Sequence, residues 1–128
     1  MILNNKIKIF LALASFMMAL AISLGAFGAH GLKSMLDEYM LKIYHTGVEY
    51  HFYNTFGLFI ATFIYTLKSK SKKIYIAIWL IIIGMCIFSF SLYLLSILSM
   101  PILGAITPIG GSLLIISWII ITYEILRP

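Results

Sequence analysis

Charge disappears from this chain in two long stretches. Ile9 to Ala29 has no charged residue, and neither does the far longer run from Ile74 to Tyr123. A helix rises 1.5 Å per residue, so about 20 residues cross a hydrocarbon core of roughly 30 Å. The first stretch therefore predicts one membrane span over residues 9–29. The second is too long for one crossing and must break. Ser99-Met100-Pro101 supplies one break and Gly104 to Pro108 another. Thr107 has the character of an N-cap and Pro108 that of a first helical residue, where the missing N–H costs nothing. Spans over residues 74–98 and 108–126 follow. A further span, 50–67, carries His51 and Asn54 near its start and ends at the basic break of Lys68, Lys70, Lys72 and Lys73.

Gly31 to Glu49 has a different pattern. Leu32, Met35, Leu36, Tyr39, Ile43, Gly47 and Val48 recur at helical spacing, with Glu38, Lys42, His45 and Glu49 on the opposing stripe. Glu38 and Lys42 stand in the favourable order at i, i+4. This predicts a short amphipathic helix between the first two spans, resting on the membrane surface or on the bundle.

Small residues mark the first span. Ala21, Gly25 and Ala29 repeat every four positions, as do Ser15, Ala19 and Ser23. Such faces let helices approach closely in lipid. Two overlapping registers predict a tightly packed, central first helix. A signal peptide, with Lys6 and Lys8 as its basic region and Ala26-Phe27-Gly28 as its cleavage site, fits less well. The apolar stretch exceeds a typical signal core, and further spans follow.

Composition agrees with this reading. Of 128 residues, 62% are hydrophobic and 10% charged, too few for the surface of a soluble domain. The length suits one membrane domain, residues 1–128. The net charge of +5 would suit nucleic acid, but the lysines flank apolar runs, so no nucleic-acid partner is expected. Seven of the nine basic residues fall on one side of a four-span topology: Lys6, Lys8, the four lysines of the basic break, and Arg127. That side is the cytoplasmic one by the positive-inside rule, which places both termini there. The only cysteine, Cys86, lies deep in an apolar run and reads as a packing residue, with no intramolecular disulfide open to it.

The polar groups in apolar segments gather at the opposite end. They include His30, His45, Glu49, Tyr50, His51, Asn54, Ser89, Ser91, Tyr93 and Thr107. Polar groups at membrane depth are costly and usually face the bundle interior. From all four spans, His30, Tyr50, Asn54, Ser91, Tyr93 and Thr107 reach one depth and form the candidate outer polar cluster. Metal binding is not expected. His45 and Glu49 share a helix face, but His51 is turned to another side and no HExxH occurs. No catalytic residues are assigned: no paired acids lie in an apolar segment, and membrane serines more often bond a nearby carbonyl. No cofactor is expected. Gly110 and Gly111 suit close helix packing better than anion binding.

The motifs also carry a resemblance. Gly25-Ala26-Phe27-Gly28-Ala29-His30-Gly31-Leu32-Lys33 resembles the signature of the YgdD/YwdK-type family of small inner-membrane proteins, a family of unknown function. Thr46 and Tyr50 match its Thr-small-x-x-Tyr element. Phe88-Ser89-Phe90-Ser91-Leu92-Tyr93 is similar to its Phe-Ser-Gly-Ser-Leu-Tyr. Leu103-Gly104-Ala105-Ile106-Thr107-Pro108-Ile109-Gly110-Gly111 is similar to its Leu-Gly-x-x-Thr-Pro-x-Gly-Gly, and Trp118 matches a later Trp. The resemblance covers nearly the whole chain. It departs at Tyr50-His51-Phe52-Tyr53-Asn54, where the family usually has Tyr-Gln-x-x-His, and at Phe90, where it has Gly. His45, Glu49 and His51 are therefore not motif positions, and Asn54 replaces a family histidine. The resemblance implies four helices in a bacterial inner membrane and supplies no activity.

The expected protein is all-α: an integral membrane bundle of four transmembrane helices, with one short amphipathic helix between the first two. It is multi-pass in the bacterial inner membrane. Its expected role is structural or interactive, as a small subunit of a membrane assembly. The alternative is a small-molecule, lipid or ion binder or transporter with a polar pocket at the outer end. The expected partners are the lipid bilayer and another membrane protein or a second copy.

Overall fold

The computed structural model of the chain describes residues 3–68 and 71–128. Lys70, one of the lysines of the basic break, lies outside the described residues. Four α-helices follow one another: α1 (Asn5–His30), α2 (Glu38–Leu67), α3 (Lys72–Leu98) and α4 (Thr107–Leu126). A 3-10 turn, Pro101–Ala105, precedes α4, and no strand occurs among the described residues. The protein is all-α, as the apolar runs predict.

Three segments are long and apolar enough to cross a membrane: Asn5–His30, Lys72–Leu98 and Pro101–Leu126. With 30 residues, α2 is longer than α1, α3 or α4, but His51, Asn54 and its tyrosines and threonines dilute its apolar character.

Local chemistry sets the helix starts. The Asn4 side chain accepts the Ile7 N–H at 2.9 Å and Asp37 that of Met40 at 2.8 Å. Ser71 accepts that of Ile74 at 3.4 Å. Each meets an N–H that the first turn leaves without an intrahelical acceptor. The break at Ser99-Met100-Pro101 falls where the sequence places it. Ser99 adopts the left-handed region (φ 52°, ψ 45°) and Pro101 opens the 3-10 turn.

Three expectations need correction. The amphipathic stretch is not a separate helix. Residues 31–37 form turns, and the helix that starts at Glu38 runs unbroken into the predicted second span. Tyr44, Gly47, Val48, His51, Thr55 and Leu58 form one continuous buried stripe, so nothing at residues 49 and 50 interrupts it. Met35 and Tyr39, placed on the apolar face by spacing, are exposed. Nor is Thr107 the N-cap of α4. Ile106 is, with helical dihedrals and no side-chain cap bond, and Thr107 is already inside the helix. The preceding 3-10 turn leads straight into the helix, and the Thr107 hydroxyl reaches the Leu103 carbonyl at 3.2 Å.

The central helix, finally, is α3 and not α1. Its flanks are α2 and α4, while α1 packs on α2. The buried positions of α1 (Ile7, Phe10, Ala14, Met17, Ala21 and Gly28) form a single stripe. The Ser15, Ala19 and Ser23 register points outward. The closest helix approach is instead between α3 and α4. A Cβ built at Gly110 would lie 2.5 Å from the Phe88 nitrogen and 2.8 Å from the Gly84 carbonyl oxygen.

The helices run up and down. Phe10 meets Tyr65, Tyr65 meets Tyr75, and Ser71 bonds Glu124, so both chain ends and the α2–α3 connection share one end of the bundle. The polar residues of the predicted outer cluster lie toward the other.

Candidate functional site

The polar residues of α2 and α3 meet in register. Gly47 faces the Ser89 carbonyl and the edge of the Tyr93 ring, and Thr55 lies 3.6 Å from the Met85 sulfur. His51 is one turn from each of Gly47 and Thr55 on α2. Its Nδ1 is 2.8 Å from the Tyr93 hydroxyl. The ring is fully buried, and the edge of Phe90 stands against it at 5.7 Å between centroids. Its other nitrogen, Nε2, has no hydrogen-bond partner, and neither has the buried Ser89 hydroxyl. The same register that sets Thr55 on Met85 and Gly47 on Tyr93 sets His51 opposite Ser89.

Tyr44 extends this group toward α1. It is fully buried, its ring lies 5.1 Å from that of Tyr93, and its hydroxyl donates to the Leu24 carbonyl. Gly28 makes room for it, because any Cβ there would overlap the Tyr44 ring. Three helices are thus tied by one aromatic and polar chain: Leu24 carbonyl, Tyr44, Tyr93 and His51.

The six candidate residues fall into separate groups. Ser91 and Thr107 bring their hydroxyls within 2.6 Å, linking α3 to α4, and the Ser91 hydroxyl also lies 2.9 Å from the Phe88 carbonyl oxygen. Tyr93 belongs to the His51 group. Asn54 and Tyr50 lie one turn apart on α2, where Asn54 donates to the Tyr50 carbonyl at 2.7 Å. They help line a groove of 650 Å³ between α2 and α4, together with Phe88, Gly111 and Trp118. The Tyr50 ring stacks at a tilt on Phe88, 4.7 Å between centroids. His30 stands exposed at the end of α1, with no side-chain partner among the described residues.

The sequence pattern puts Tyr93 in the cluster without its partners His51 and Tyr44. The spacing from His45 sets His51 apart, but His45 is exposed together with Glu49. The signal for His51 is the helical stripe that it shares with Tyr44 and Gly47. Among the described residues, no three His, Cys, Asp or Glu side chains come together to hold a metal ion. The arrangement holds helices together through hydrogen bonds and aromatic edges, with one imidazole nitrogen and one hydroxyl left over.

Comparison with known proteins places the chain. The family described as "Protein of unknown function (DUF423)" matches residues 24–111. UPF0382 membrane protein YwdK of Bacillus subtilis is 46% identical over 114 residues, covering 89% of this chain and 93% of that one. A UPF0382 membrane protein of Staphylococcus epidermidis is 38% identical over 94% of this chain and 97% of its own. One from Haemophilus influenzae is 35% identical over 94% of each. No solved structure matches. The chain belongs to this family of membrane proteins of unknown function, the family that its motifs resemble.

Proposed function

We propose that this membrane protein is a four-span inner-membrane bundle that serves as a structural or interaction subunit of a membrane assembly, with both termini cytoplasmic. The observation that carries the role is the outer face of α1. Ser15, Ala19 and Ser23 are exposed there, and the two serines donate back to the Leu11 and Ala19 carbonyls at 2.8 Å each. A shallow face with its hydroxyls already satisfied suits close contact with another membrane helix. Most of the polar residues deeper in the bundle are engaged within it, with backbone carbonyls or with a neighbouring side chain, and α1, α3 and α4 carry no charge at mid-length.

A cysteine at position 19 of a Cys86→Ser background tests the role. Cross-linking in native membranes to a second copy or to another protein supports it, together with loss of that product when Ser15→Leu or Ser23→Leu is added to the same cysteine variant. A cysteine that cross-links to nothing, or a product unchanged by both leucines, sinks it. The orientation rests on Lys6, Lys72, Lys73 and Arg127 lying at the end of the bundle where α1 begins and α4 ends. Labelling of a cysteine at position 71 by an impermeant reagent from outside intact cells overturns it.

The groove between α2 and α4 favours a second reading, a binder of a lipid or small amphiphile. Tyr50, Tyr53 and Asn54 give one end polar character, while Leu114, Ile115 and Ile119 make the rest apolar. A ligand carried through native purification and lost in Asn54→Leu would select this reading over the first.

A further inference from the structure

At the end opposite the His51 group, the starts of α1 and α3 both reach the end of α2 at Tyr65. Between them lies a cleft of 520 Å³ lined by Asn4, Asn5, Lys6, Tyr65, Lys72 and Tyr75. Two ammonium groups line it and no carboxylate does. Neither helix has an acidic residue in its first turn. Asn4 and Ser71 each cap one N–H deeper in the turn, at Ile7 and Ile74. The N–H groups ahead of those have no intrahelical acceptor, and the positive ends of two long helices converge.

Tyr65 is the independent observation. It is 3% exposed, it lines this cleft, and its hydroxyl has no hydrogen-bond partner among the described residues. Its ring is fixed by Phe10 and Tyr75, each 6.3 Å away between centroids. The ring is buried but the hydroxyl is not sealed off, and the cleft that it lines offers it room for an acceptor. Lys6 extends over the Tyr75 ring, 4.8 Å from its centroid, which keeps its ammonium at the rim. The nearest carboxylate on this end, Glu124, is engaged by Ser71 and Arg127 in a separate cleft.

We infer that this cleft binds a phosphate group, presented by the headgroup of an anionic phospholipid. Helix N-termini, two lysines and a phenol donor supply the donors that a phosphoester oxygen set accepts. Behind the cleft, Tyr75 packs on Phe10 and Phe10 on Trp79, so an aromatic cluster sits where the headgroup level meets the apolar part of the bundle.

The full chain in neutral detergent tests this. Phosphatidylglycerol, phosphatidylcholine and inorganic phosphate are titrated separately, with retention read by native mass spectrometry and protection by thermal unfolding. Phosphatidylglycerol should be retained in preference to phosphatidylcholine. Lys6→Gln and Lys72→Gln should each weaken retention about fivefold. Tyr65→Phe keeps the ring and its packing, so it should weaken retention severalfold while unfolding in the absence of lipid stays unchanged. Lys33→Gln, at the other end, should change nothing. Protection by inorganic phosphate with the same dependence on Lys6, Lys72 and Tyr65 also supports the site and assigns its filling to the aqueous side. Equal retention of the two lipids, or retention unaffected by both Tyr65→Phe and the lysine variants, overturns it.

Discussion

His51 and Tyr93 meet through Nδ1 and the phenol oxygen, 2.8 Å apart, where neither side chain is open to solvent beyond 5% of its surface. This is the one hydrogen bond the imidazole makes. If the phenol donates, Nδ1 accepts and the proton sits on Nε2 with nothing to receive it. If Nδ1 donates, Nε2 is an unsatisfied acceptor. Either way the ring depends on Tyr93 to offset its removal from water.

Tyr93→Phe should therefore destabilise the protein by about 1–3 kcal/mol, because it strands both imidazole nitrogens. His51→Leu should also destabilise, through the lone phenol it leaves. The double variant His51→Leu/Tyr93→Phe should cost clearly less than the sum, since neither member of the pair is then left without the other. Denaturant unfolding in detergent measures all three. Additive losses would show that the contact contributes nothing as a pair.

Ser89 and Ser91 lie two residues apart on α3 and should respond in opposite ways. The Ser89 hydroxyl is buried without a partner. Ser89→Ala removes that deficit and should leave stability unchanged or raised. Ser91 joins Thr107 across the α3–α4 interface at 2.6 Å. Ser91→Ala should cost about 0.6 kcal/mol, the usual worth of a hydrogen bond between membrane helices. A loss in Ser89→Ala as large as in Ser91→Ala would mean that Ser89 has a partner such as a bound water.

Much of this architecture was legible because lipid imposes a simple rule: uncharged runs of sufficient length become helices. The extents of α1 and α3 and the break at Ser99-Met100-Pro101 follow from it. What stayed hidden depends on partners. Gly31 to Glu49 has amphipathic spacing, yet its residues divide between turns and the start of α2, because Tyr44 and Gly47 continue the stripe that carries His51. The small residues of α1 show a face without showing which helix covers it, and four of the six (Ser15, Ala19, Ser23 and Ala29) are exposed. Ser91 and Thr107 were placed at one depth by topology and do touch. His30 shares the depth without the contact, since equal height in a bundle does not fix the direction a side chain takes around its helix.

Among the described residues, Ser99 is the one non-glycine residue with positive φ. It ends α3 in the left-handed region, where its N–H still reaches the Leu95 carbonyl. A side chain there is strained, while glycine adopts the conformation freely. Ser99→Gly should raise stability by about 0.5–1 kcal/mol if relief of strain outweighs the added freedom of the unfolded chain. Ser99→Val should lower it by more than that. Both are read from unfolding midpoints, and a Val variant as stable as the parent would argue against a left-handed cap.

Adjacent glycines at the start of α4 should separate sharply. A methyl at Gly110 would press on the Phe88 nitrogen and the Gly84 carbonyl, which are backbone atoms of α3 and cannot swing aside. Relief requires α3 and α4 to move apart, which also weakens the nearby Ser91–Thr107 bond. Gly110→Ala should cost about 1–3 kcal/mol, the usual penalty for overpacking. A methyl at Gly111 would meet only the Phe88 ring at 3.6 Å, an ordinary contact. Gly111→Ala should be neutral or stabilising by about 0.5–1 kcal/mol, from the lower freedom of alanine in the unfolded chain. Thermal and denaturant unfolding of the two purified variants decides it. Similar losses in both would mean that the two helices do not cross at Gly84 and Gly110, and that the packing of α4 on the central helix has to be redrawn.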